Sequence, residues 1–274
     1  MTAKPEWSGD RGRIVVITVS RDDYTGLRDT LESAKAQTNQ DFRHLVIDSS
    51  KNPSDVEQMV SGYRAEYYWT PPSGIYPAMK LGLEKLKDSD YCWFLNSSDT
   101  FADASSVDIV SHRLLTEGDG QTTWALGKVL LIGKYSSKIY SATNGSADLL
   151  TTARKGRIYF PHSSTIIRAS KLRAVDPFAE NLKIAQDYLI ALKILTRFGP
   201  PIVFENVLSN FALGGITSQQ TVRTGLETVR ARLLVFGISQ IPREVWNVIR
   251  IIGGRPLKKM YSTVSLKLSS RDIS

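Results

Sequence analysis

The sequence predicts an α/β fold, a mixed and mainly parallel sheet flanked by helices, with a basic helical extension at the C-terminal end. Three observations carry that expectation. Apolar runs alternate with amphipathic stretches from residue 13 to residue 101. Each run ends in small oxygen-bearing side chains, where open α/β sheets place their ligands. The positive charge collects in the last fifty or so residues, leaving a nearly neutral body.

Residues 1–12 are polar and hold Pro5, Gly9 and Gly12, which predicts a loose lead-in. Arg13–Val19 reads as a buried strand ending at Ser20, with Asp22 and Asp23 in the following turn. Leu27, Leu31 and Ala34 share one face of a helix over 26–35. Phe42–Ile47 is a second strand that ends in Asp48-Ser49-Ser50, and the Asn52-Pro53 turn starts a helix through Val56 and Val60. Tyr67–Trp69 forms a short third strand. Pro71-Pro72-Ser73-Gly74 is a loop, followed by a helix over 75–87 with Ile75, Met79, Leu83 and Leu86 inward. The fourth strand is the run Tyr91-Cys92-Trp93-Phe94-Leu95, which stops at Asn96-Ser97-Ser98-Asp99. Such groups suit a hard cation or the hydroxyls and phosphates of a nucleotide, although a Ser/Asp turn at a strand end is also an ordinary feature.

The second half is less regular. Residues 123–132 read as strand, with Gly127 allowing a bulge or a close approach. Residues 158–165 pass from an apolar segment into a polar cluster containing His162. Residues 184–195 read as a helix whose face is Ile184, Tyr188, Ala191 and Leu195. Asp187 falls in its first turn, where a carboxylate either complements the helix dipole or serves as a general base at a crevice. The domain organisation follows: a lead-in over 1–12, a catalytic-type body over 13–220, and a basic extension over 221–274.

Composition excludes several classes. Cys92 is the only cysteine, so there is no intrachain disulfide, and its apolar setting predicts a buried thiol rather than a nucleophile. No secretory signal and no bilayer-spanning segment is expected, which suits a cytoplasmic protein. His44, His112 and His162 lack metal-ligand spacing, so zinc is not expected. The net charge is +8, and residues 223–274 hold ten Lys/Arg against Glu227, Glu244 and Asp272. Val222, Leu226, Val229, Leu233 and Phe236 recur at helical spacing, and Val245, Trp246, Ile249 and Ile252 do so beside Arg243 and Arg250. An apolar face with a tryptophan and flanking arginines suits an anionic membrane surface through 242–274; a helix packed on the body, or a dimer contact in a homo-oligomer, would give the same pattern. Nucleic acid is not expected, since the charge is not interleaved with base-stacking aromatics.

Taken together, the motifs resemble the family 2 glycosyltransferases of the GT-A fold, in the bacterial branch that builds capsular, exopolysaccharide and lipopolysaccharide sugars. The resemblance runs from Ile14 to Gly215. It rests on Val46-Ile47-Asp48-Ser49-Ser50, Ser73-Gly74-Ile75-Tyr76-Pro77-Ala78-Met79, Trp93-Phe94-Leu95-Asn96-Ser97-Ser98-Asp99, Phe160-Pro161-His162-Ser163, Ala185-Gln186-Asp187-Tyr188 and residues 211–217, all in the family's order. It implies an inverting, metal-assisted transfer from a nucleotide sugar, UDP-linked in most relatives, to a glycan or lipid-linked acceptor at the cytoplasmic membrane face. Thr18 and Ser20 would line the nucleotide pocket, Asp48 would bind the base, and Ser73 and Gly74 would flank the donor. Asn96, Ser97, Ser98 and Asp99 would face ribose and diphosphate, with Asp99 as the anionic ligand of Mn²⁺ or Mg²⁺. Asp187 would be the catalytic base. His162 would contact acceptor or diphosphate, or be a hydrogen-bonded loop residue.

The chain departs from the family pattern at Asn96 and Ser98, where aspartates are frequent, at Pro77, where an aspartate is usual, and after Asp48, which lacks the common glycine. A rival reading is a nucleotide-sugar-binding protein that keeps the fold without catalysis. A nucleotidyltransferase would need a glycine-rich basic loop after the first strand, and this chain has Ser20-Arg21-Asp22-Asp23 there.

Overall fold

The computed structural model describes residues 12–116, 122–133, 136–142, 148–178, 181–213, 221–242, 244, 245 and 248. Among these residues nine strands form one sheet in the order β3-β2-β1-β4-β8-β6-β9-β5, with β7 paired to β6. The strands are β1 (Ile14–Ser20), β2 (Arg43–Asp48), β3 (Glu66–Trp69), β4 (Tyr91–Phe94), β5 (Thr100–Phe101), β6 (Trp124–Ile132), β7 (Ser137–Tyr140), β8 (Thr165–Arg168) and β9 (Ile202–Ala212).

The first half of the sheet is wholly parallel: β1 pairs with β2 and β4, and β2 with β3. All seven residues of β1 are buried, because helices cover both faces. The alternation of side chains divides the core. Val46 packs with Leu27 and Leu31 of α1 (Tyr24–Lys35) and with Val56 and Val60 of α2 (Pro53–Ser61). Ile17, Leu45 and Ile47 face the other way, toward Met79 and Leu83 of α3 (Ile75–Glu84). Gly82 permits that contact, since a Cβ there would stand 2.6 Å from the Ile17 side chain. Pro77 falls in the first turn of α3, where its missing N–H costs no helical bond.

The second half is mixed. β8 runs antiparallel to β4 and to β6, while β6 and β9 are parallel. The register of β6 against β9 shifts between Leu126 and Val129. Gly127 lies in that shift, and a Cβ there would meet Leu208 at 2.4 Å, so the expected bulge and the close approach are both present. β5, β7, β8, β9 and the helices α4 (Ser106–Ser111), α5 (Leu149–Arg154) and α6 (Ala169–Ala174) are elements that sequence periodicity did not resolve.

α7 (Gln186–Phe198) is buried on nearly every side rather than on the single expected face; Leu189, Ile190, Leu192 and Ile194 are as enclosed as Tyr188 and Leu195. Truncating one of these leucines to alanine should cost roughly 2–5 kcal/mol. Part of the cover is α8 (Thr221–Phe236), the first helix of the basic extension. Its buried residues are Gly225, Val229, Ala231 and Arg232, while Val222 and Leu226 of the expected apolar stripe are exposed. The stripe is only partly inward, with Val229 buried and Phe236 packed against the core, and a charged residue of the helix also finds its partner inside. Arg232 makes a bidentate pair with Glu244 at 2.6 and 2.7 Å, and its guanidinium stands 3.5 Å from the Tyr188 hydroxyl. Most of the basic segment 242–274, for which a membrane surface was one of the expected partners, and residues 1–11 of the lead-in lie outside the described residues. No described helix is long and apolar enough to cross a membrane.

Candidate active site

At the carboxyl ends of β1 and β2, the expected nucleotide residues are tied inward. Thr18 is fully buried and donates its one hydroxyl proton to the Leu95 carbonyl at 2.7 Å. The 2.8 Å contact between Thr18 and His44 Nε2 therefore has the imidazole donating. Burial holds His44 down to about 4, which keeps it neutral and in agreement with that tautomer. Thr18 thus fastens β1 to β2 and β4 and does not reach the crevice. Ser20 is buried at the strand end, where its carbonyl accepts from the Ser49 N–H. Asp48 is also fully buried: one oxygen accepts from the Ser50 N–H and hydroxyl, at 3.1 and 2.6 Å, and the other from the Tyr67 hydroxyl at 3.1 Å.

The exposed groups beside Asp48 are different ones. Trp69 ends β3 with its Nε1–H donated to the Ser50 carbonyl at 3.2 Å, which leaves the indole 47% exposed. Nothing in the strand pattern separates Trp69 from a core aromatic; only its position at the sheet's carboxyl edge does. Ser73 and Gly74 are exposed in the loop entering α3, with Gly74 in a left-handed conformation (φ +114°) at the N-cap.

The Asn96–Asp99 turn is held from below. Thr30 of α1 donates to the Asp99 carbonyl at 2.7 Å, and the Ser97 N–H donates to the Val19 carbonyl. Ser98 takes φ +74° and donates to the Asp23 carboxylate at 2.9 Å, so its hydroxyl is engaged by the cap of α1. Gly26 leaves the room for that contact, since a Cβ there would come within 2.1 Å of the Ser98 hydroxyl.

Three of the expected residues do come together. His162 sits in a short 3₁₀ turn before β8, anchored by the Trp93 indole N–H, which donates to the Ser163 carbonyl at 2.7 Å. Its Nε2 lies 3.4 Å from Asp99 Oδ2, and its Nδ1 lies 3.5 Å from Asp187 Oδ2. Asp187 stands in the first turn of α7, with its Oδ1 accepting from the Tyr188 N–H. Phe211 of β9 meets the imidazole edge-on, and the Ala212 N–H donates to Asp99 Oδ1 at 3.3 Å. A cavity of about 30 Å³ adjoins the group, walled by Met79, Phe94, Phe160 and Phe178, so the charges lie against an apolar surface.

The electrostatics follow from this placement. Burial by itself would push His162 down, but the carboxylates of Asp187 and Asp99 outweigh it and hold the imidazole up to about 10, as an imidazolium at neutral pH. Burial pushes the Asp99 carboxyl up, although His162 and the Ala212 N–H pull the other way. The Asn96 amide nitrogen lies 3.0 Å from His162 Nε2, while its amide oxygen is buried without a partner. A protonated Nε2 cannot accept from that NH₂. In the imidazolium state the Nε2 proton is directed to Asp99 Oδ2, and the Asn96 amide oxygen stays without a partner.

Among the described residues no three His, Cys, Asp or Glu side chains are grouped as a metal centre. The oxygens of Asp99 and the unpartnered Asn96 Oδ1 nonetheless fit a hard divalent cation as part of a shell, which diphosphate oxygens would have to complete. Cys92 is buried, and burial pushes its thiol up, as expected for an unreactive core residue.

No family model matches the chain. The chain is 26% identical over 214 residues to the uncharacterized glycosyltransferase Rv1514c of Mycobacterium tuberculosis, covering 76% of this chain and 78% of the relative; MT1564 of another strain matches equally. Among solved structures, S. aureus TarS 1-349 in complex with UDP-GlcNAc superposes with a TM-score of 0.65 at 15% identity, over 93% of this chain and 76% of that one. The mannosyltransferase PcManGT from Pyrobaculum calidifontis, in complex with GDP-Man and Mn²⁺, gives 0.62 at 12% identity, over 94% and 77%. The fold is therefore the one found in these transferases.

Proposed function

We propose that the chain is a glycosyltransferase that moves a sugar from a nucleotide sugar, UDP-linked, to a hydroxyl acceptor with inversion. The observation that carries this reading is the line Asp99–His162–Asp187 at the carboxyl edge of a transferase-type sheet. In the proposed reaction Asp187 takes the proton of the acceptor hydroxyl as its oxygen forms a bond to the anomeric carbon. The bond from that carbon to the diphosphate oxygen breaks, and the electron pair leaves with the nucleoside diphosphate. His162 holds Asp187 through Nδ1 and Asp99 through Nε2, so the base keeps its orientation in the absence of substrate. A bound Mn²⁺ or Mg²⁺ would supply charge stabilisation to the leaving diphosphate, held by Asp99 and the Asn96 amide oxygen. Trp69 offers an exposed face on which a base could stack, and Ser73 and Gly74 line the entrance to α3.

The acceptor in this reading is a glycan or lipid-linked sugar of cell-surface polysaccharide synthesis, met at the cytoplasmic membrane surface. The exposed Val222, Leu226, Ile241 and Val245 near the basic tail support a peripheral contact. The second reading, a non-catalytic nucleotide-sugar-binding protein, draws on the complete internal engagement of Asp48. A thermal-shift screen of UDP, GDP, dTDP and CMP with Mn²⁺, Mg²⁺ or chelator tests the first, because a ligand of the folded state raises the melting temperature. A metal-dependent UDP shift is expected. No shift with any nucleotide would remove the nucleotide-sugar reading. Release of UDP from a UDP-sugar separates the catalytic reading from the binding one.

A further inference from the structure

We propose that Glu227, in the C-terminal helix α8, is a positioning residue for Asp187. One carboxylate oxygen of Glu227 accepts from three consecutive backbone N–H groups, those of Lys183, Ile184 and Ala185, at 3.0, 2.7 and 3.1 Å. The other oxygen accepts from Arg223 Nε at 2.9 Å, one helical turn earlier on α8. Three successive N–H groups converging on one oxygen form an anion nest, and this nest is filled by a side chain from more than forty residues away.

The segment so held leads directly into α7, and Asp187 is the second residue of that helix. A second anchor grips the same segment from α3. The Tyr76 hydroxyl donates to the Ile184 carbonyl at 2.5 Å and accepts from the Gln186 N–H at 3.2 Å. The backbone from 183 to 186 is thus fixed on both sides, by α8 and by α3, at the point where the helix carrying Asp187 begins. Ile184 and Ala185 are buried, so loss of the carboxylate would leave their N–H groups without water to replace it, and the segment would have to shift. A shift there moves Asp187 relative to His162 and to any bound acceptor. This inference rests on the reading of Asp187 as the base.

The test measures nucleoside diphosphate release from the nucleotide sugar by the full-length chain, with UDP affinity read separately by calorimetry. Glu227→Ala should lower kcat about 30- to 100-fold, while the donor KM and the UDP affinity stay within about threefold. Glu227→Gln keeps an oxygen acceptor and should recover about tenfold of that loss. In an Asp187→Asn background Glu227→Ala should remove almost nothing further, because the two residues act through one group. An equal loss in that background, a kcat unchanged in Glu227→Ala, or a raised KM with kcat intact would each overturn the proposal. If Glu227→Ala fails to fold, Glu227→Gln with and without Asp187→Asn carries the same comparison. A wild type that binds UDP but releases none from any UDP-sugar overturns the transferase reading, and this inference with it; an active wild type with an unaffected Glu227→Ala overturns this inference alone.

Discussion

Along the parallel half of the sheet, polar side chains at the strand ends are closed circuits. Thr18 is spent on Leu95 and His44, Asp48 on Ser50 and Tyr67, and Ser98 on the cap of α1. Where β4 meets the mixed half, polar side chains are gathered into a charged line, with one imidazole serving two carboxylates and one amide oxygen left over. The first half spends its hydrogen bonds on rigidity, and the ligand contacts left to it are surfaces such as the Trp69 indole. The second half keeps ionisable groups together against an apolar wall, where their mutual attraction is strong and where chemistry can be done. The same family of residue types (Ser, Thr, Asp, His) therefore builds a frame on one side and a reaction centre on the other.

The sharpest way to break this contrast is Asp187→Asn. It should lower turnover by roughly 10²- to 10⁴-fold while UDP affinity stays nearly constant, as measured by diphosphate release and calorimetry. Unchanged turnover would strip the mixed half of its catalytic role. Next in size is His162→Ala, which leaves two enclosed carboxylates without their shared cation. A loss of about 3 kcal/mol in urea unfolding is expected, and a neutral result would mean that the line is not a coupled unit.

Smaller effects test the frame. Trp69→Ala should weaken UDP by about 1–2 kcal/mol, near tenfold in the dissociation constant, without altering the unfolding midpoint. An unaltered UDP affinity would move the base elsewhere on the parallel half. The smallest effect is a pH dependence. His44 is held down to about 4 in the folded chain and titrates near 6.5 when unfolded, so only the unfolded state takes up its proton between those values. Stability from this group is present above 6.5 and is lost as pH falls toward 4, at about 1.4 kcal/mol per pH unit. In His44→Leu, which cannot take up that proton, the fall in stability over this window should be shallower; an identical slope would show that His44 is not enclosed.

Legibility followed the same division. The parallel half announced itself because β1 to β4 are short apolar runs bounded by turn residues, and its strand ends lie within about one or two residues of those expected, while α3 stops at Glu84 rather than at residue 87. β9 did not. Its sequence mixes Glu205, Asn206, Ser209 and Asn210 into an eleven-residue strand that bends around the Gly127 irregularity, so no alternation survives. In the site, Asp187 and His162 could be singled out from motif order, and Asn96 to Asp99 from the abrupt end of β4. Glu227 could not, since in sequence it is one acid in a basic helix, and Trp69 looked like any strand aromatic.

Readable from the chain alone were the strand and helix alternation of the first hundred residues, the burial of β1 and β4, the glycine at the irregular register of β6, and the set of polar residues carried to the sheet's edge. Those are consequences of local pattern, which neighbouring residues fix. Which of those polar groups remain available was settled by packing across the fold. Asp99, His162 and Asp187 are far apart in the chain, and Glu227 reaches residues 183–185 from another helix; their meeting depends on how α7 packs between the sheet and α8. A hydrogen bond or an ion pair is made or lost within an ångström, and distances that fine are set by packing across the whole core rather than by sequence neighbours.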